Sequence, residues 1–152
     1  MTLTTTHFGV DIPRIGLGTW RLMGETCRDT VGEALRAGYR FIDSAQVYGN
    51  ENDIGHAIKE SGVDRDEIFI STKVWIDDCK PYDLLWSVRE SLDRLRVNQV
   101  DLLMLHWPNP KVPLSHTIDA MNEARERGLA KHLGMANFTA ELFEKASVRS
   151  SA

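Results

Sequence analysis

Cysteine is almost missing from this chain: of 152 residues only Cys27 and Cys79 carry thiols, and they form no CxxC pair. A disulfide framework and a thiolate zinc site lose their support, and a reducing cytoplasm is the expected location. Proline is sparse at 5 residues and no stretch is compositionally biased, which excludes collagen-like, low-complexity and disordered classes. Long apolar runs are also lacking. The longest, Leu102 to Leu105, is four residues, far short of a bilayer span, so no membrane partner is expected. The Thr-rich segment from Met1 to Phe8 has no basic flank with an apolar stretch and does not read as a signal peptide. There is no excess of positive charge either. The 18 Lys and Arg against 22 Asp and Glu leave a net charge of -4, which argues against a nucleic-acid partner. No His, Cys or carboxylate spacing suggests a metal site.

What remains is an ordinary globular composition, 42% hydrophobic and 26% charged. A chain of this size buries roughly 70% of its unfolded surface, enough for one domain with a real core. After a short hairpin around Gly9 and Pro13 (residues 1–13), strand-like and helix-like segments alternate. The expected strands are Arg14–Thr19, Arg40–Asp43, Glu67–Lys73, Val100–His106 and Lys131–Ala136. The expected helices are Thr26–Ala37, Asn52–Glu60, a stripe through Leu84, Leu85, Val88, Leu92 and Leu95, another through Leu114, Ile118, Met121 and Ala124, and a last one from an N-cap at Thr139 to Ala146. Trp86 borders the first stripe and is assigned to packing. Strand starts recur 26, 27, 33 and 31 residues apart, which implies strand–helix units in a parallel sheet. An open doubly wound sheet and part of a (β/α)8 barrel both fit, but no Gly-x-Gly-x-x-Gly follows the first strand, and the Rossmann reading loses its main support. In the barrel reading Ile15, Phe41, Leu103 and Leu105 face inward.

In a parallel α/β protein the reacting groups collect at the C-terminal ends of the strands. That filter selects Asp43 with Tyr48 in the following loop, Lys73 with Trp75 beyond it, His106 with Trp107 beyond it, and Asn137. Singly, each has a plain reading as a solvated charge, a structural histidine or a packing tyrosine. Together they carry chemistry. A lysine ending a buried strand needs a partner, and Asp43 on the neighbouring strand is available. An ammonium so held favours ionisation of a nearby phenol, and a phenol so tuned can donate a proton to an oxyanion.

The runs Gly16-Leu17-Gly18-Thr19-Trp20, Gly38-Tyr39-Arg40-Phe41-Ile42-Asp43-Ser44-Ala45 with Tyr48-Gly49-Asn50-Glu51, Ile70-Ser71-Thr72-Lys73-Val74-Trp75 and Asp101-Leu102-Leu103-Met104-Leu105-His106-Trp107-Pro108 resemble the aldo-keto reductase family. Within it the chain looks most like bacterial 2,5-diketo-D-gluconate and methylglyoxal reductase-like members. The resemblance implies an NADPH-dependent reductase of small aldehydes or ketones on a TIM (β/α)8 barrel. It makes Tyr48 the proton donor, Lys73 and Asp43 the pair that tunes it, and His106 the residue that orients the carbonyl. Gly18, Thr19, Trp20, Asp43 and Asn137 match cofactor-lining positions, and Trp20, Trp75 and Trp107 match walls of the substrate pocket. Asn137 is the second residue of a Ser-Asn pair in the family; here the first is Ala136. A family member continues through three further strands. The chain therefore reads as the N-terminal part of one domain, truncated after its fifth unit, with residues 14–146 in five β/α units and 147–152 a tail. Open barrel edges then make self-association an expectation, and a non-catalytic or binding-only fragment is the alternative to an active enzyme.

Overall fold

A computed structural model describes residues 3–7 and 9–150; positions 1, 2, 8, 151 and 152 lie outside it. The N-terminal hairpin pairs β1 (Thr4–His7) with β2 (Val10–Pro13) antiparallel, in the register Thr4 to Pro13 and His7 to Val10. It stands apart from the main sheet, which is five-stranded, all parallel and in chain order: β3 (Leu17–Gly18), β4 (Phe41–Asp43), β5 (Phe69–Val74), β6 (Val100–Leu105) and β7 (Ala130–Met135). Five helices, α1 (Gly24–Arg36), α2 (Glu51–Glu60), α3 (Pro81–Leu95), α4 (Leu114–Glu126) and α5 (Ala140–Ser150), follow the strands in turn. An unbroken neighbour order with a helix after every strand is barrel order, and it decides against the doubly wound alternative. No helix among the described residues is long and apolar enough to cross a membrane.

The sequence pattern explains the elements. Helix α3 starts on Pro81, which needs no amide hydrogen at that position, and buries Leu84, Val88, Leu92 and Leu95 along one stripe. Thr139 caps α5, its hydroxyl accepting from the Leu142 amide at 3.3 Å. Side chains on each strand alternate between two faces. Ile42, Ile70, Val74, Leu103 and Leu105 join the apolar cluster with Cys27, Val31, Leu35, Ile54, Ala57, Ile118 and Met121 of the helices. The opposite face carries the other parity, with Phe41, Asp43, Leu102, Met104 and Gly134 only half-buried.

Several expectations need correction. Leu103 and Leu105 face the helices and are fully buried there; the run Leu102–Leu105 is apolar at every position and carries no alternation that could assign parity. Ile15 lies outside any strand and is 66% exposed. The first strand shrinks from Arg14–Thr19 to two residues, since Gly16 and Gly18 offer little to a pleated surface. Trp86 is 57% exposed and does not join the core. Residues 147–150 are not a tail; they belong to α5.

Helices α2 and α3 touch at Gly55. A Cβ built there would stand 2.5 Å from the Arg94 carbonyl oxygen and 2.7 Å from the Leu95 carbonyl, both backbone atoms that cannot rotate away. Gly55→Ala is expected to destabilise the fold by about 1–3 kcal/mol, although alanine is the better helix former, and urea unfolding measures it. Gly134 on β7 is close to side chains instead: its Cβ would meet Met104 Cγ at 2.8 Å and Leu102 Cδ1 at 3.3 Å.

Candidate active site

The C-terminal strand ends place Asp43, Lys73 and His106 on one rim, and a single helical turn, Gln46–Tyr48, brings Tyr48 over it. Lys73, only 7% exposed, carries its Nζ into the gap between β4 and β5. There it donates to both Asp43 carboxylate oxygens and to the Ser44 carbonyl oxygen, each at 2.8 Å. All three ammonium donors are engaged, so the buried charge is both paired and saturated. Ser71, one register step across from Asp43, adds a 2.5 Å hydroxyl bond to Asp43 Oδ1. The ammonium stands 5.3 Å from the centre of the Tyr48 ring.

The aromatic groups form a continuous edge-on chain. Trp20 meets Tyr48 with ring centres 4.9 Å apart, Tyr48 meets His106 at 5.8 Å, and His106 meets Trp75 at 5.4 Å. Trp20 and Trp75 are thus brought to Tyr48 and His106. Trp107 is not in that chain. It helps line an apolar cavity of about 390 Å³ with Cys79, Val112, Phe138 and Leu142, beside the β6–α4 loop.

Burial, and then the neighbouring Lys73 ammonium, hold the His106 pKa below its ordinary value near 6.5, against a smaller opposing pull from Asp43. His106 is therefore neutral at pH 7. Its Nδ1 is buried without a partner. We assign the single proton to Nε2, because an orphaned buried N–H is costlier than an orphaned lone pair. A depressed histidine pKa means that the unfolded chain binds the extra proton more readily. Its contribution to stability is complete above about pH 6.5 and declines as pH falls from there toward the lower folded value. The urea midpoint should drop between about pH 7 and pH 5, and His106→Gln should show a shallower drop.

Cofactor positions divide. Gly18 is exposed, with nothing within 4 Å of where a Cβ would stand, and Trp20 is 56% exposed beside it. Asn137 sits in the left-handed region with φ 61°, and its Nδ2 donates to the His106 carbonyl oxygen at 2.8 Å, so it supports the histidine backbone. Thr19, matched to the cofactor lining by resemblance, has a different position. It is fully buried, with amide and hydroxyl both donating to the Asp43 carbonyl oxygen, and its side chain ties β3 to β4.

Beneath the rim lies a polar layer that the sequence reading did not single out. Asn50, fully buried, donates to the Thr19 and Leu22 carbonyl oxygens and accepts from Ser44. Glu51, 1% exposed, accepts from the Thr72 hydroxyl at 2.5 Å and from Arg94 of α3 at 2.8 Å. Gln46 accepts from the Trp75 amide at 2.8 Å and donates to Ser87 and Ser91 at 3.1 Å. An acid in the first turn of a helix ordinarily reads as a solvated charge favourable to the helix dipole. Only the partner 43 residues later marks Glu51 as buried.

The Aldo/keto reductase family profile matches residues 14–152. The chain belongs to the aldo-keto reductase family. Among its relatives, the methylglyoxal reductase DkgB of Yersinia pestis is 43% identical over 139 residues, 90% of this chain and 52% of that protein. The Escherichia coli O157:H7 methylglyoxal reductase DkgB is 46% identical over 137 residues, covering 89% of this chain and 51% of that protein. A crystal structure provisionally assigned as a 2,5-diketo-D-gluconic acid reductase B superposes with a TM-score of 0.96 at 41% identity, covering 100% of this chain and 54% of that one. The Bombyx mori aldo-keto reductase in complex with NADP superposes with a TM-score of 0.90 at 32% identity, covering 99% of this chain and 55% of that one. This aldo-keto reductase chain thus spans about half the length of the relatives it matches, and its sheet is a partial TIM barrel.

Proposed function

We propose that the protein reduces small aldehydes and ketones to alcohols at this rim, with NADPH as the reductant and methylglyoxal-like carbonyls as the substrate class. The observation that carries the reading is the saturated Asp43–Lys73 pair set under a phenol that is packed edge-on against a neutral histidine. The rim fits the nicotinamide end of a dinucleotide. Gly18 leaves open space at the mouth, exposed Trp20 flanks it, and the Asp43 carboxylate retains a solvent-facing side. When bound, NADPH supplies the hydride for the carbonyl carbon.

The chain's own residues manage the oxygen. Charge builds on the carbonyl oxygen as the carbon is reduced, and donors fixed at that point are the largest catalytic contribution. His106, neutral and with its proton on Nε2, offers one hydrogen bond and fixes the carbonyl in the site. Tyr48 Oη transfers its proton to the same oxygen, giving the alcohol, and the resulting phenolate is stabilised by the Lys73 ammonium beside its ring. Asp43 and Ser71 keep that ammonium in place. Trp20 and Trp75 flank the pocket and exclude water. We place the protein in the cytoplasm on its cysteine usage.

Incubating the chain with NADPH, methylglyoxal and a panel of small aldehydes tests the reading by the loss of NADPH absorbance. Turnover that disappears in Tyr48→Phe supports it. A folded chain that binds NADPH and turns over none of the panel would favour the second reading, a binding-only protein.

A further inference from the structure

We infer that Gln46 is a positioning residue that fixes the spacing between Tyr48 and the His106–Trp75 wall; this rests on the carbonyl-reduction reading. Gln46 opens the turn that carries Tyr48, two residues before it. Its Oε1 accepts from the backbone amide of Trp75 at 2.8 Å, one residue beyond the end of β5 and two past Lys73. Its Nε2 donates to Ser87 and Ser91 on α3, both at 3.1 Å and both buried. The side chain is thus a three-point tie across the β4 loop, the β5 end and α3. The Trp75 ring packs on His106 and His106 packs on Tyr48, so the contacts close a circuit from Gln46 through Trp75 and His106 to Tyr48 and back.

On the far side of Tyr48 the backbone is held separately. Gly49 turns the chain with φ 69°, and Asn50 and Glu51 anchor it to the β3–α1 loop, to Thr72 and to Arg94. Without Gln46 that side stays fixed, while the leading side keeps its bonds through Ser44 and Ala45 but loses its tie to the Trp75 amide and to α3. A shift of about 1 Å at a reacting group can cost roughly 100-fold in rate without unfolding anything.

Gln46→Met preserves length and removes both the acceptor and the donor. Gln46→Glu retains an oxygen for the Trp75 amide, and its second oxygen can accept from the Ser91 hydroxyl close to Arg94, which already donates to Ser91 at 3.2 Å. The expected result is a roughly 10- to 100-fold fall in kcat for Gln46→Met with KM little changed, and recovery of most of it in Gln46→Glu. Rates are taken per folded molecule, with urea midpoints measured alongside. A merely structural glutamine would lower the midpoint and leave kcat per folded molecule unaltered, and that outcome overturns the inference. Should Gln46→Met not fold, Ser91→Ala removes one anchor alone, and an undiminished kcat there overturns it equally. If the wild-type chain turns over no carbonyl, the reduction reading fails by itself. The role of Gln46 is then read by NMR, where Tyr48–His106 ring cross-peaks should vanish in Gln46→Met and persist in Gln46→Glu; their persistence in both overturns it.

Discussion

Replacing Tyr48 by phenylalanine should reduce methylglyoxal turnover by about 100- to 10,000-fold, the span that one positioned general acid contributes. The ring stays, and with it the edge-on contacts to Trp20 and His106, so the pocket keeps its shape. NADPH titration by fluorescence should therefore give nearly the wild-type affinity, and urea unfolding a nearly unchanged midpoint. Those two controls separate loss of the proton from loss of the site. Near-normal reduction by Tyr48→Phe would show that another group donates the proton, and the phenol would become a packing residue.

Lys73→Met should show both a kinetic and a thermodynamic loss. The kinetic loss resembles that of Tyr48→Phe, because the field that favours the phenolate has gone. The thermodynamic loss follows from what remains: Asp43 retains one hydroxyl bond from Ser71 where it had an ammonium on both oxygens. Removing one partner of a fully buried pair costs about 3–5 kcal/mol; Asp43 keeps a solvent-facing side, so about 2 kcal/mol is expected here. Removing both charges, as in Asp43→Asn with Lys73→Met, should recover part of that stability and none of the activity. If the double variant were less stable than Lys73→Met alone, the orphaned carboxylate would not be the cause.

The strand ends were legible in the sequence for a physical reason. Lys73 and Asp43 stand where apolar strands stop, and a buried ammonium two residues past a strand centre needs a carboxylate from next door. The parallel sheet was legible too, from repeats of 26 to 33 residues, but its strand order was not, since a doubly wound sheet has the same repeats and another order. Face assignment was not. Leu103 and Leu105 sit in a run apolar on both parities, and only the helices show which parity is the core. The layer of Asn50, Glu51 and Gln46 was illegible for another reason: its partners are as far as 45 residues away in sequence, and nothing local distinguishes a buried glutamine from a solvated one. Trp86 fails in the opposite direction. Its place at the edge of a helical stripe is compatible with either environment, and α3 turns it to solvent.

The close approach of Gly134 to Met104 has a consequence for how this protein can change. The two positions share one volume, so what each tolerates depends on the other. A larger residue at 134 meets a wall while methionine stands at 104; once 104 is small, the same change fills a hole. Exchange between them is coupled: Met104 must shrink or change rotamer before position 134 can take a larger residue, and Leu102 Cδ1 at 3.3 Å limits it as well. The intermediate with a small residue at both positions carries a void on the face that holds Asp43 and Lys73, so a route by that intermediate to a reshaped floor beneath the site passes through a loosened one.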